Sequence, residues 1–315
     1  MSTKVEAKKL KTTNKTLRQQ IYEYRWIYIL GIPGLVIMLL INYLPMRNLL
    51  MAFQNYNPHL GILGSEWVGL EQFRRLFQDS KFYNMLKNTL IISGLSLITF
   101  PAPIILALLL NEVRNAAFKK FIQTSVYLPH FLSWAIVTSL TFFLLSTEQG
   151  FVNKLAVALG HEPTAYLFSS KWIYWIILIQ ALWKSVGWNT IVYLAAIAGI
   201  DHSLYEAAKM DGANRFQCMV KITLPSIMPT VMVMLILKMG SIISVDFEQV
   251  FLMNNAMVKQ QLEVFEVFIF NNSIASGSTQ YSYTTAIGLF KSVINTALVL
   301  LTNWITNRKG YEGVM

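Results

Sequence analysis

Six long apolar segments interrupt this chain of 315 residues and restrict it to folds that cross a membrane. A helix needs about 20 mostly apolar residues to span a bilayer. The charged fraction of 13% agrees, because soluble domains average about 25%. We therefore predict an all-α integral membrane protein with six transmembrane helices, at residues 26–45, 88–110, 121–145, 172–199, 226–245 and 283–306.

Lysine and arginine are shared unevenly between the two sides of these spans. Residues 1–25, 111–120, 200–225 and 307–315 form the richer side, which the positive-inside rule assigns to the cytoplasm. We predict a multi-pass protein of the inner cell membrane with both termini cytoplasmic. Its parts are a basic arm (1–25), a membrane domain (26–306) and a short tail (307–315). The arm is either a solvated orientation signal or a surface helix attracted to anionic membrane lipid.

Several functional classes lack support in the sequence. The net charge of +10 does not indicate nucleic-acid binding, because the basic residues cluster at span ends and not in a groove with interleaved aromatics. One cysteine, Cys218, excludes an internal disulfide framework, and no metal site is predicted. No Gly-Lys pair occurs, so the chain has no phosphate-binding loop of the G-x-x-x-x-G-K-[ST] type.

The 201–225 loop lies between the fourth and fifth spans and is predicted to form two short helices. Ser203 and Glu206 have the spacing of a capping box at the first helix N-terminus. Gly212 can take a positive φ and permits a turn. Asn214 is expected to cap a second helix that reaches about Lys221. Pro225 follows and is expected to open the fifth span, since a helix N-terminus tolerates its missing N–H.

The same loop reads Glu206-Ala207-Ala208, three residues, Gly212, nine residues, then Ile-x-Leu-Pro. This pattern resembles the E-A-A loop by which permease subunits of bacterial ABC importers bind their ATPase. The resemblance implies a transport subunit and not an enzyme, with no bound cofactor, because ATP and Mg would bind the separate ATPase dimer. It places the interface at Glu206, Ala207, Ala208, Asp211, Gly212, Leu224 and Pro225. The alternative is an ordinary loop with a capped helix.

The first outer loop suggests the substrate. Its Tyr56-Asn57-Pro58, Gly61, Gly64-Ser65 and Trp67-Val68-Gly69-Leu70 resemble the corresponding loop in permeases of binding-protein-dependent carbohydrate importers, of the oligosaccharide or polysaccharide branch. That resemblance implies an oligosaccharide substrate, a second homologous permease and an extracytoplasmic solute-binding protein as partners. Two alternatives stay open: a non-sugar solute such as glycerol phosphate or a polyamine, and a secondary ion-coupled transporter.

Three lysines fall inside predicted spans: Lys184, Lys238 and Lys291. A charged side chain near the bilayer centre normally faces a cavity or a partner. We predict that some of them line the substrate path and neutralise an acidic sugar such as a uronate. The alternative is snorkelling, or pairing with Asp246 or Glu248. Trp188 and Asn189 are added to the candidate path as groups that could hold a sugar, and Trp134 and Trp183 offer similar groups, although packing is the simpler role for each.

Overall fold

The computed structural model describes residues 16–275 and 280–310, and these residues are overwhelmingly helical. The chain divides into two compact units, Met1–Leu50 and Met51–Met315. Most of the predicted basic arm, residues 1–15, lies outside the described residues, as do residues 311–315 of the predicted tail. The division of the chain into arm, membrane domain and tail therefore stays a prediction.

The first part of the chain forms short and long helices followed by a small hairpin. Helix α2, Arg25–Met38, continues through a π turn, Leu39–Tyr43, and a 3-10 stretch, Leu44–Phe53. Strands β1 and β2 pair antiparallel, with Gln54 opposite Trp67. The bounds are α1 Leu17–Glu23, α2 Arg25–Met38, β1 Gln54–Asn55, α3 Gly61–Gly64, β2 Glu66–Trp67 and α4 Glu71–Gln78.

The rest of the chain is a helical bundle. The bounds are α5 Ser80–Ile98, α6 Pro101–Glu112, α7 Ala116–Tyr127, α8 Trp134–Leu145, α9 Phe151–Ala158, α10 Ile173–Ala198, α11 His202–Met210, α12 Arg215–Cys218, α13 Leu224–Ser226, α14 Met228–Met239, α15 Phe247–Met253, α16 Lys259–Leu262, α17 Phe265–Phe270 and α18 Tyr281–Arg308. Short 3-10 segments, Leu128–Phe131 and Tyr166–Phe168, and π turns, Met219–Thr223 and Asn271–Ala275, connect some of these helices.

Helix α10 is the centre of this bundle and packs against α5, α6 and α7. Its buried residues contribute to two apolar clusters: Ile173, Ile176 and Ile177 near one end, and Tyr193 and Ile197 near the other. The predicted fourth span, 172–199, coincides with α10 within one residue at each end.

The helices agree in part with the six predicted spans. Three described helical stretches are long and apolar enough to cross a membrane: Arg25–Phe53, Ser80–Glu112 and Tyr281–Arg308. Two bent pairs raise this number to five if each pair is one span. Helix α10 has the length but is not one of these three stretches, and its middle carries the polar residues Gln180, Lys184 and Asn189. The described residues thus have the fold of a helical membrane protein, and the count of six stays a prediction.

The third predicted span, 121–145, is wrong as a single helix. Ala116–Phe131 and Trp134–Leu145 meet at 104°. Pro129 lacks the N–H that would continue the helix, and the Ser133 hydroxyl accepts a hydrogen bond from the Ile136 N–H at 3.3 Å, which starts α8 anew. Apolar composition continues through the bend and therefore concealed it.

The fifth predicted span, 226–245, is also corrected. Helix α14 ends at Met239, and non-helical residues follow until the Asp246 side chain caps α15. The helix begins at Met228, with Pro229 in its first turn. Pro225 does not open the span: it lies in the preceding helical stretch, Arg215–Ser226, directly after the π turn, and that stretch meets α14 at 57°.

Candidate functional site

Helix α11, in the 201–225 loop, is capped at its N-terminus by Asp201. The Asp201 carboxylate accepts a hydrogen bond from the Ser203 N–H at 2.9 Å. This bond lowers the pKa of the Asp201 carboxyl below its ordinary value, since it favours the charged form. The predicted capping box of Ser203 and Glu206 is therefore wrong: α11 begins at His202, and a carboxylate one position earlier supplies the cap.

Gly212 ends α11, as predicted. Its φ is +79°, a left-handed conformation that glycine adopts without steric cost. The Gly212 N–H donates to the Lys209 carbonyl at 3.1 Å, and the Ala213 N–H donates to the Ala208 carbonyl at 2.9 Å. These two bonds form a Schellman motif, which satisfies carbonyls that a helix end otherwise leaves unpaired.

Helix α12 begins at a reciprocal capping box. Asn214 Oδ1 accepts from the Gln217 N–H at 2.9 Å, and Gln217 Oε1 accepts from the Asn214 N–H at 2.8 Å. The predicted cap at Asn214 is confirmed. The hydroxyls of Tyr205 and Thr223 lie 2.9 Å apart and join α11 to the π turn after α12, so the two halves of the loop are held together.

The loop presents both charge and apolar surface. Glu206, Ala207, Asp211, Gly212 and Pro225 are exposed, and Ala208 and Leu224 are half-buried. Large apolar side chains are exposed beside them: Met210 is 89% and Phe216 is 68% exposed. A preformed helix with small residues, one carboxylate and an apolar flank has the features of a docking surface for another protein.

A separate cavity of about 330 Å³ opens between α5, the bend at 128–131, α10 and the chain from α14 to α15. Two ammonium groups and one carboxylate line it, those of Lys184, Lys238 and Asp246. Other polar groups complete the lining: the hydroxyl and amide groups of Ser93, Ser96, Tyr174, Ser185, Asn189, Ser241, Ser244 and Gln249, and the nitrogen-bearing rings of His130 and Trp134. The mixture of hydroxyl, amide and net positive groups suits a polar, anionic ligand.

Lys184 is firmly held at the edge of this cavity. Its ammonium donates hydrogen bonds to the backbone carbonyls of His130, at 2.9 Å, and of Leu132. It also lies 5.4 Å from the ring centroid of Trp134, and the Trp134 indole N–H donates to Asp246 Oδ2 at 2.7 Å. Lys184 thus ties α10 to the bend before α8, where the carbonyls would otherwise lack donors.

The remaining candidate residues are divided between the cavity and other places. Lys238 and Asn189 line the cavity. Trp188 is not among the lining residues; its ring stacks on the His130 imidazole with centroids 4.3 Å apart. Lys291 also lies away from the lining and forms an ion pair with Glu266, both side chains being largely buried.

Several of these contacts were not anticipated from the sequence. Neither Asp246 nor Glu248 pairs with a lysine among the described residues, and Glu266 on α17 is the partner of Lys291. Pro129 and Ser133 were the available signals for the bend that places His130 in the cavity. The described residues contain no group of three or more His, Cys, Asp or Glu side chains that could hold a metal ion.

The comparison with known families is specific. Residues 99–311 match the family described as binding-protein-dependent transport system inner membrane component. The chain is 46% identical over 305 residues to the polygalacturonan/rhamnogalacturonan transport system permease protein YteP of Bacillus subtilis, with 96% of this chain and 94% of the relative covered. Protein LplB of the same species is 46% identical over 291 residues, covering 92% and 91%.

Solved structures agree with these relatives. A chain of a bacterial ABC transporter involved in the import of the acidic polysaccharide alginate superposes with a TM-score of 0.85 at 37% identity, covering 93% of this chain and 99% of the other. A chain of the alginate ABC transporter in complex with an alginate pentasaccharide-bound periplasmic protein gives 0.86 at 36% identity, covering 95% and 100%.

Proposed function

The chain belongs to the family of binding-protein-dependent transport system inner membrane components, and we propose that it is the permease subunit of an ATP-driven importer of acidic oligosaccharides. The substrate class is a galacturonate-containing oligosaccharide. The polygalacturonan/rhamnogalacturonan permease YteP supports galacturonate, and the transporter of the acidic polysaccharide alginate supports an acidic sugar more generally. The chain itself performs no covalent chemistry.

The observation that carries the proposal is the polar cavity with an excess of positive charge. A uronate unit presents one carboxylate and several hydroxyls. The ammonium groups of Lys184 and Lys238 outnumber the Asp246 carboxylate, so the lining is complementary to an anionic sugar. Serine hydroxyls and the Asn189 amide can exchange hydrogen bonds with sugar hydroxyls. The apolar walls, such as Ile92 and Ile177, exclude water and strengthen these interactions.

The finer architecture follows from the same proposal. Six spans cross the inner membrane, with both termini and the 201–225 loop in the cytoplasm. A second homologous permease completes the translocation path, an ATPase dimer binds ATP and Mg, and an extracytoplasmic solute-binding protein delivers the oligosaccharide. The periplasmic binding protein seen with the alginate transporter supports this last partner.

Helix α11 is the proposed contact with the ATPase. Glu206 is exposed and has no hydrogen-bond or ion-pair partner among the described residues, so its carboxylate is available to a basic residue of the ATPase. Ala207 and Ala208 permit close approach, Asp211 and Gly212 border the contact, and Leu224 and Pro225 continue it toward α14. Closure of the ATPase dimer would then move α11, and the stretch Arg215–Ser226 would carry the motion into the membrane.

Reconstitution of the complete transporter in proteoliposomes tests the substrate. We expect ATP-dependent uptake of oligogalacturonate and stimulation of ATP hydrolysis by the loaded binding protein. Neutral oligosaccharides of equal length should give much less uptake and much weaker stimulation. Uptake driven by an ion gradient in ATP-depleted vesicles would contradict the proposal and indicate a secondary transporter. ATP-dependent uptake of glycerol phosphate or a polyamine alone would contradict the sugar assignment.

Charge reversal at Glu206 tests the coupling role. We expect Glu206→Lys to lower ATP-driven uptake at least tenfold, because two like charges would face each other at the contact. Copurification of the ATPase with the permease should fall in parallel. Glu162→Lys reverses another exposed carboxylate far from the loop and is the matched control. Normal uptake and assembly in Glu206→Lys would exclude the docking role.

A further inference from the structure

A second cavity, of about 270 Å³, adjoins the first on the side of α6. Its walls include Thr99, Phe100, Pro103 and Tyr193. The two cavities share four lining residues, all of them polar: Ser96 on α5, Ser185 and Asn189 on α10, and Lys238 on α14. These four residues, the polar ring, therefore stand between the two spaces and face both.

Lys238 is the charged member of the polar ring and differs from the other two buried lysines. Its ammonium donates one hydrogen bond, to Ser96 Oγ at 2.6 Å. No carboxylate of the described residues lies within 4.0 Å of it. Lys184, in contrast, is engaged by two backbone carbonyls, and Lys291 is paired with Glu266. Because an ammonium has three donors, Lys238 retains hydrogen-bonding capacity toward the cavities.

The opposite side of the polar ring supplies neutral groups. Ser185 and Asn189 are four residues apart on α10 and therefore lie on one face, one turn apart. The Ser185 hydroxyl donates to the Ala181 carbonyl at 2.6 Å, which leaves its oxygen free to accept. The Asn189 side chain makes no hydrogen bond within the described part of the chain, although it is half-buried. An unpartnered amide in a polar cavity is suited to a ligand with hydroxyl groups.

We propose that the polar ring is the charge-selective constriction of this subunit, where Lys238 releases Ser96 and binds the carboxylate of each uronate unit that passes. Ser185 and Asn189 bind the hydroxyls of the same unit from the facing helix. This assignment rests on the proposed function and adds to it the residue that distinguishes acidic from neutral sugars.

The exchange of partners at Lys238 explains how the constriction favours an anion. A bond from the Lys238 ammonium to Ser96 or to a sugar hydroxyl reaches a neutral oxygen, whereas a bond to a uronate carboxylate joins opposite charges and gains their Coulombic attraction. A uronate therefore compensates for the broken contact with Ser96, whereas a neutral sugar offers only another hydroxyl in its place. The contact between α5 and α14 stays closed to the neutral sugar and opens for the acidic one.

Substitution of Lys238 tests the proposal in the complete reconstituted transporter. The probes are a short oligogalacturonate and its methyl ester, which has the same size without the charge. Uptake is normalised to the amount of binding protein loaded with each probe. We expect Lys238→Met to lower the ratio of acid to ester uptake about tenfold, the loss of one charge-assisted contact. Lys238→Arg should keep most of the ratio, and Lys154→Met, at an exposed lysine on α9, should keep all of it.

Ser96→Ala removes the same contact but keeps the Lys238 charge. It therefore tests the proposal even if the Lys238→Met transporter fails to assemble. Because the contact that stays closed to the neutral ester is gone, we expect the ratio of acid to ester uptake to fall about threefold, less than in Lys238→Met, since the ammonium still binds the uronate. Either an unchanged ratio in Lys238→Met or an unchanged ratio in Ser96→Ala would overturn the polar ring as the selective element. The proposed function fails separately, if the wild-type transporter imports neither probe.

Discussion

Gly187 lies in the middle of α10, where this helix touches the backbone of α7. A methyl group built on Gly187 would lie 2.0 Å from the Val126 carbonyl oxygen, 2.5 Å from the Val126 carbonyl carbon and 3.1 Å from Tyr127 Cδ1. The nearest obstacle is backbone and cannot rotate away. Small residues at helix contacts allow this close approach in membrane proteins. We predict that Gly187→Ala forces α10 and α7 apart.

The size of the effect can be worked out from this geometry. An ordinary C···O contact needs about 3.3 Å, so the helices must separate by roughly 1 Å. Overpacking of this kind costs about 3 kcal/mol, at the upper end of the usual range because backbone atoms collide. Alanine recovers about 1 kcal/mol through its higher helix propensity. The net loss is about 2 kcal/mol, which for a chain of 315 residues corresponds to a decrease in Tm of roughly 3 °C.

Thermal unfolding of the purified protein in detergent, followed by circular dichroism, measures this loss. Gly94→Ala and Gly288→Ala are matched controls, because both glycines lie inside helices and a methyl group on either would have no neighbour within 4 Å. Both controls should leave Tm unchanged or raise it slightly. If Gly187→Ala behaves like the controls, the close contact between α10 and α7 does not exist in the protein.

The remaining predictions concern caps and the buried ion pair. Gly212→Ala places a side chain at φ +79° and should destabilise the end of α11 by about 1 kcal/mol, measured as faster amide hydrogen exchange there. Gly199→Ala is the control and should change little, because Gly199 has no positive φ. Lys291→Met leaves the Glu266 carboxylate buried without its partner and should destabilise the folded protein by about 3 kcal/mol, measured by thermal unfolding. The double variant that also carries Glu266→Gln should recover much of this loss, because no buried charge remains unpaired. The pKa of Asp201 is lowered in the folded state, so its cap is fully effective above the ordinary value of 3.8 and is lost as pH falls through the folded value. Amide hydrogen exchange in α11, corrected for its intrinsic pH dependence, should therefore become faster in that pH range. Asp201→Asn should remove this pH dependence.

Helix positions were predictable where composition alone decides them. The predicted spans 172–199 and 283–306 match α10 and α18, because each is one uninterrupted helix. The bend at 128–131 and the early end of α14 were missed, since apolar residues continue past both breaks. Local signals existed in each case: Pro129 before the first break and Gly240 after the second.

In the candidate sites, features set by neighbouring residues were predictable from the sequence, and contacts between distant residues were not. The turn at Gly212 and the cap at Asn214 depend on neighbouring residues and were predicted correctly. The partners of the three buried lysines are far away in sequence: Ser96 lies 142 positions from Lys238, and His130 lies 54 from Lys184. The sequence could indicate that each lysine needs a partner, but the packing of the helices decides which partner it finds.

Helix α11 is capped at both ends by residues of its own chain, and this has a mechanical consequence. Asp201 and the Schellman bonds at Gly212 complete the helix without a partner, so the proposed partner would not have to order the backbone of α11. A short rod of this kind transmits a displacement with little internal yielding. The stretch Arg215–Ser226 then meets α14 at 57°, so in the proposed coupling a displacement of the loop would reach α14 across this bend.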